Sequence, residues 1–341
     1  MRMFNYFNFF PVGQGLFYFG SISFGEYTFV YDCGTETSGV NLSNYIEEVA
    51  KKCNGRKLDF LAISHFHWDH ISGIQELENR VGFKKVYLPY ISNRSNIREF
   101  IIGIELFEDI QDLDSERIDT LGYLNNLYNK ENRNFEPGSG YISCGFDWTF
   151  KYFNKSIDKG AEMKLSSMLD NLLKKYEADN VIELFKIGRI KELKKIYQDV
   201  FADNRLNNTS LVLLHYPSFG SYFPVSNYYQ KYKCCDNNDK FYRCFYPYTL
   251  LTGDIMFDDE LTEEIISSYP TGVSGFVQVP HHGSKFNWPP LISKFPLFDC
   301  YIVNYGTTNK YGHPDYLLKI HIPVDKYFDN NEYKGFLYEI Y

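Results

Sequence analysis

His65-Phe66-His67-Trp68-Asp69-His70 follows directly on Leu58-Asp59-Phe60-Leu61-Ala62-Ile63-Ser64, and this junction decides how the chain is read. The chain of 341 residues holds only eight histidines, and three of them fall within this short stretch beside an aspartate. The apolar run before it is rich in β-formers and predicts a strand. Zinc-like ions take imidazole nitrogen and carboxylate oxygen from rigid supports. With alternate spacing, His65 and His67 can point one way while the turn carries Asp69 and His70 to a second position. The motif reads as a metal site at a strand end.

The other histidines fall into similar settings. His281 and His282 end the apolar stretch Gly275–Pro280, and His313 stands in Tyr311-Gly312-His313-Pro314 before a predicted helix. Asp254 closes Leu250-Leu251-Thr252-Gly253-Asp254. Gly-Asp alone is a turn signal, but beside two histidine pairs this carboxylate suits a bridging ligand. His215 and His321 lie outside such settings and read as structural.

Outward from the motif, the first third alternates strands (Phe4–Phe10, Leu16–Gly20, Tyr27–Tyr31, Leu58–Ser64, Lys85–Pro89) with a helix at Ser43–Lys52. The last third repeats the style, with strands at Tyr248–Thr252, Gly275–Pro280, Cys300–Tyr305 and Gly335–Ile340 and helices at Asp258–Ser268 and Pro314–Ile320. Such alternation predicts layered sheets flanked by helices. From Ser92 to about Asp203 the pattern is mainly helical, broken by a strand at Gly145–Phe153. Its stripe Leu165, Met168, Leu169, Leu172, Leu173, Tyr176 has core-facing helical spacing. Pro217–Tyr246, crowded with Tyr, Cys and Asn, reads as irregular. The expected organisation is one domain over 1–341 with insertions at about 92–205 and 217–246.

Composition narrows the setting. Apolar residues make up 44% and aromatics 18%, with thirty Tyr and thirty Phe, enough for a large core and for surface rings. Lys and Arg total 35 against 43 acids, a formal charge of −8, so any polyanion must be met by a local patch or by metal. Lys186, Arg189, Lys191, Lys194 and Lys195 could form such a patch, although a solvated helix face is the plainer reading. Residues 1–20 lack a signal peptide's uninterrupted apolar core, and no run is long enough to span a membrane. The seven cysteines (33, 53, 144, 234, 235, 244 and 300) are scattered and odd in number, which predicts reduced thiols and a cytoplasmic setting.

The His-x-His-x-Asp-His signature resembles that of the metallo-β-lactamase superfamily. Val12-Gly13-Gln14-Gly15, Asp32-Cys33-Gly34, Asn207-Asn208-Thr209-Ser210-Leu211-Val212, the Leu250–Asp254 run, His281-His282-Gly283-Ser284 and Tyr311–Pro314 occur in the order found in the hydrolase domain of ComEC-type competence proteins. Bacterial phosphorylcholine esterases are similar. The resemblance implies an αββα sandwich with two divalent ions, Zn2+ or Mn2+, at one edge. His65 and His67 would hold the first ion, Asp69 and His70 the second, with Asp254 bridging and one of His281 or His282 completing the second. Asp32 would support the ligand turn from behind, and Ser210 and Ser284 stand beside ligand positions. Where many superfamily members place a further histidine for the first ion, this chain offers Asn207 or Asn208.

The mechanism implied is attack by a water shared between the ions. Asp69 belongs to the catalytic set, while His313 and whichever of His281 and His282 is not a ligand would stabilise charge or protonate the leaving oxygen. The expected reaction is hydrolysis of a phosphodiester in single-stranded nucleic acid or a nucleotide. The alternatives are a small phosphoester or other ester, or a protein that keeps the metal cage for binding or sensing.

Overall fold

The computed structural model describes residues 5–110, 112–129, 138–201, 209–218, 226–232, 242–244, 248–269, 275–295 and 298–340. In chain order the elements open with β1 (Asn5–Phe9), β2 (Phe17–Ile22), β3 (Tyr27–Cys33), α1 (Leu42–Cys53), β4 (Leu58–Ala62), α2 (Trp68–Ile71), α3 (Ile74–Arg80) and β5 (Phe83–Tyr87). Then come α4 (Ser95–Leu106), α5 (Ser115–Asn129), β6 (Gly138–Ile142), β7 (Trp148–Asn154), α6 (Lys159–Tyr176), α7 (Val181–Lys186) and α8 (Ile190–Val200). Next are β8 (Val212–Pro217), β9 (Ser226–Tyr232), β10 (Tyr242–Cys244), β11 (Tyr248–Leu251) and α9 (Asp259–Ser267). The last are β12 (Gly275–Gln278), α10 (Pro289–Ser293), β13 (Cys300–Asn304), α11 (Tyr316–His321), β14 (Tyr327–Asn330) and β15 (Lys334–Ile340).

The strands form two sheets, one ordered β10-β9-β15-β1-β2-β3-β4-β5 and the other β14-β13-β12-β11-β8-β7-β6. Side chains alternate between the two faces of a strand, and both faces are covered. Phe7, Phe9, Tyr18, Phe29, Tyr31 and Phe60 face the second sheet's Phe150, Leu213, Phe276 and Ile302. Their neighbours Phe17, Phe19, Val30 and Leu61 face an outer layer of α1, α3 and the helices α4–α8. The second sheet's outer face packs on α9, α10 and α11. This αββα layering is the metallo-β-lactamase fold expected from the motif.

Helices form where apolar stripes meet these outer faces. In α6, Leu165, Leu169, Leu172 and Leu173 are buried, and the Asp158 carboxylate caps the N-terminus by accepting from Ala161 N at 3.0 Å. Asp258 caps α9 in the same way through Leu261 N. The helical stretch after Ser92 therefore shares its core with the first sheet.

Pro217–Tyr246 departs from its irregular reading. Within it β9 pairs antiparallel with β15, and β10 with β9, so the stretch widens the first sheet. The Cys and Asn residues around the tyrosines hide that strand signal. Three further strands were not expected: β6, whose Gly138-Ser139-Gly140 start weakens its propensity, β8, and the short β14.

Candidate metal centre

The motif's geometry is fixed from behind by Asp32, at the end of β3. Its carboxylate is fully buried and accepts from Ser64 N at 2.6 Å, Ser64 Oγ at 2.6 Å and His70 Nδ1 at 2.8 Å. Ser64 Oγ, having donated to Asp32, accepts from His65 Nδ1 at 2.8 Å. One carboxylate thus sets both tautomers, leaving the Nε2 lone pairs of His65 and His70 pointing away from it. Asp32 holds a left-handed backbone (φ 55°), which aspartate tolerates better than most residues. Gly15 and Gly34 let the neighbouring turns pass, since a Cβ at either would lie 2.4 and 2.5 Å from the Asp69 carbonyl oxygen.

Two groups of donor atoms result. His65, His67 and Asp254 form one, and Asp69, His70 and His282 the other. In the first, His65 Nε2 lies 3.1 Å from His67 Nδ1 and 3.4 Å from Asp254 Oδ2. In the second, His282 Nε2 lies 2.9 Å from Asp69 Oδ2, and its Nδ1–H donates to the Asn304 carbonyl at 2.8 Å. Asp254 spans the two, because its other oxygen, Oδ1, lies 3.4 Å from His70 Nε2. Those two atoms are buried and lack a hydrogen-bond partner. Orphaned buried polar atoms are costly, and imidazole nitrogens facing carboxylate oxygens are a donor set that divalent ions satisfy. The residues fit the expected ions.

Acids and imidazoles here shift one another strongly: against the lowering effect of burial, Asp69 and Asp254 raise His70 and Glu108 raises His67. Burial pushes the Asp254 carboxyl up, but His281, His65, His70 and His282 outweigh it and hold the group well below the usual range. Asp69 is likewise held down against burial by His70 and His282. Burial and the neighbouring His70 lower His65 to about 3.

His281 and His282 part company. Both backbones are left-handed (φ 49° and 54°), which turns the adjacent rings in different directions. His282 joins Asp69 and His70, while His281 Nε2 comes within 3.8 Å of Asp254 Oδ2 on the His65–His67 side. Asn287 donates Nδ2 to the carbonyls of Asp254 and Ile255, so its Oδ1 accepts from His281 Nδ1 at 3.3 Å. The His313 ring sits 5.4 Å from that of His281 and 6.4 Å from that of His282. Ser284 is buried beside this turn, its N–H donating to His281 O. Ser210 is buried with its hydroxyl unpartnered. Asn207, Asn208 and Cys234-Cys235 lie outside the described residues. Two histidines are structural as read. His215, in the sandwich interior, bonds Tyr18 OH at 2.7 Å and accepts from Trp148 Nε1. His321 donates within its own helix to Leu317 O.

Three residues at the site were not singled out as such. Glu105, at the end of α4, accepts from Phe66 N at 2.6 Å, and Glu108 pairs with His67 Nε2 at 2.9 Å. Lys194 of α8 is the one member of the basic run beside the site. It lines a cavity of about 300 Å³ with His67, Glu105, Glu108, His281 and Phe286. Lys186, Lys191 and Lys195 are solvated.

Residues 21–126 match the family model described as metallo-beta-lactamase superfamily. No curated protein matches the chain. Among solved structures, the chain is similar to a diphosphatase of the PhnP family, at 10% identity and a TM-score of 0.43, covering 100% of this chain and 99% of that one. It is also similar to a motif mutant of a metallo-beta-lactamase from Cronobacter sakazakii (12% identity, TM-score 0.33, 86% and 75% covered). An archaeal superfamily protein from Sulfolobus tokodaii shares 15% identity at a TM-score of 0.25, over 43% of this chain and 54% of its own. Likenesses at these scores carry no information on substrate.

Proposed function

We propose that this chain is a two-metal hydrolase of phosphodiester bonds, acting on single-stranded nucleic acid or a nucleotide. The observation that carries the reading is Asp254, whose two carboxylate oxygens face separate donor groups, with Oδ1 and His70 Nε2 buried and unpartnered. His65, His67 and Asp254 would hold one zinc or manganese ion, and Asp69, His70, His282 and Asp254 the other. Bound there, divalent ions supply Lewis acidity toward a phosphoryl oxygen and activate water. The motif order shared with ComEC-type hydrolase domains supports the phosphodiester.

The chain's own groups do the rest. Asp32 keeps the Nε2 atoms of His65 and His70 unprotonated, directly and through Ser64. His281, whose Nδ1–H is engaged by Asn287, can take up or return a proton at Nε2 on the cavity side. His313, beside it, can steady charge on the leaving oxygen. Lys194 offers a cation at the cavity wall, where a further phosphate would lie. The 300 Å³ cavity also favours a second reading, in which the substrate is a small phosphoester. We read the chain as one domain in a cytoplasmic setting. Cys33, Cys53, Cys144 and Cys300 form no disulfide, and no described helix is long and apolar enough to cross a membrane.

Elemental analysis and turnover test the proposal together. Close to two ions per chain are expected, with hydrolysis of a bis-aryl phosphodiester, single-stranded DNA or RNA. Asp69→Ala should cut the rate by orders of magnitude and leave the fold intact. A protein that takes up no metal on titration, or a variant with wild-type turnover, would refute it. Hydrolysis of the aryl ester without either polymer would select the small-ester reading.

A further inference from the structure

Two carboxylates of the helical stretch between Ser92 and Asp203 accept hydrogen bonds from the motif. Glu105 takes the Phe66 backbone N–H, and Glu108, just past the end of α4, takes the His67 ring at Nε2. The other ring nitrogen, Nδ1, faces His65 Nε2 at 3.1 Å and Asp254 Oδ2 at 4.0 Å. A neutral imidazole carries one proton. With that proton donated to Glu108, the lone pair must be on Nδ1, inside the first donor group. The loop bearing Glu108 is itself tied down, since Lys194 Nζ donates to the carbonyls of Glu108 at 2.8 Å and Ile110 at 2.9 Å. An unbroken path therefore runs from α8 through Lys194, the loop and Glu108 to His67.

Folding alone does not account for the contact. The Glu108 side chain is 62% exposed, and pairs that open to water add little to stability. A carboxylate behind a ligand histidine does, however, fix its tautomer and raise its basicity. Asp32 does this for His70 from the sheet side, and Glu108 stands in the same relation to His67 from the helical side.

We propose that Glu108 is a positioning residue for the first ion: by accepting the Nε2–H of His67 it commits Nδ1 to the metal, and so places that ion's affinity under the control of the helical stretch. The proposal rests on the reading that His65, His67 and Asp254 hold a divalent ion. It makes Lys194 a second, more distant determinant of the same affinity.

Cobalt(II) titration of the full chain, followed by visible absorption and by competition with a chelator, tests this without turnover. Wild type should take up two ions. Glu108→Ala should loosen one of them about 10- to 100-fold and leave the other unchanged. Glu108→Gln, which keeps an acceptor oxygen, should stay closer to wild type, and Lys194→Met should fall between wild type and Glu108→Ala. In an Asp69→Ala background, where the second group has lost a ligand, the Glu108→Ala effect should persist on the remaining ion. If wild type binds two ions and Glu108→Ala binds both as tightly, the proposal fails and the metal reading stands. Equal loosening of both ions would also overturn it, as a general disturbance. A wild-type chain that binds no cobalt sinks the metal reading and the proposal with it.

Discussion

Replacing Asp32 by asparagine keeps the size and the tolerated left-handed backbone but changes what the buried group can accept. The carboxylate takes three hydrogen bonds, two from Ser64 and one from His70, in a site closed to water. In the variant, the retained oxygen can still serve Ser64 N, but an NH2 group stands where Ser64 Oγ–H and His70 Nδ1–H arrive. Both donors must turn round. His70 then carries its proton on Nε2, the atom facing Asp254, and Ser64 turns its hydroxyl hydrogen toward His65 Nδ1, forcing that ring's proton to Nε2 as well. Burial pushes Asp32 up even against His70 and Ser64, so the cost is counted in hydrogen bonds and not as a full ion pair. Bonds to a charged group are worth ~1.5–3 kcal/mol each; with two lost and partly replaced, Asp32→Asn should cost about 2–4 kcal/mol in urea unfolding of the metal-free chain. Both ions should bind ~10- to 100-fold more weakly by calorimetric titration. A variant with unchanged affinity for both and less than ~1 kcal/mol of destabilisation would refute the claim that Asp32 sets the tautomers.

Asp254→Asn should lower occupancy at both positions in elemental analysis, because each carboxylate oxygen serves a different group; loss at one position alone would show that Asp254 does not bridge. His215 predicts a pH effect on folding, since burial lowers it to about 3, below its unfolded value of ~6.5. The unfolded chain binds the extra proton first, so this stability is whole above pH ~6.5 and is lost as pH falls toward 3. His215→Gln should flatten the difference in unfolding free energy by up to ~1.4 kcal/mol per pH unit across that window; parallel curves would show that His215 is not held neutral.

The motif, its strand and the sandwich were legible because each is local: an apolar run, then ligands at its end. Asp254 and the His281-His282 pair were legible for the same reason, each closing another apolar run. Which of the two histidines joins Asp69 was not. That choice depends on two left-handed backbones and on acceptors from Asn287 and Asn304, neither of which the local pattern marks as a partner. Glu105 and Glu108 were invisible for a different reason. Two acids three apart at a helix end look like a solvated face, and only the packing of α4 against the first sheet brings them to Phe66 and His67. The tyrosine strands β9 and β10 were masked by their Cys and Asn surroundings.

Residues from four places in the sequence meet at one edge because of the strand directions. β3, β4 and β5 run parallel in the first sheet, and β11, β12 and β13 run parallel in the second. Asp32 lies at the C-terminal end of β3 and His65–His70 just past that of β4, while Asp254 follows β11 and His281-His282 follow β12. Parallel neighbours end on the same side, so each sheet delivers its ligands along one rim. The two rims are stitched where they touch. Leu211 N donates to Ser64 O at 2.8 Å, and the Tyr31 hydroxyl donates to Leu211 O at 2.5 Å. Gly253 takes a left-handed turn (φ 55°), and a Cβ there would lie 2.5 Å from that of Ser64. The same Ser64 relays Asp32 to His65, so the point where the sheets press together is also the point from which the ligand tautomers are set.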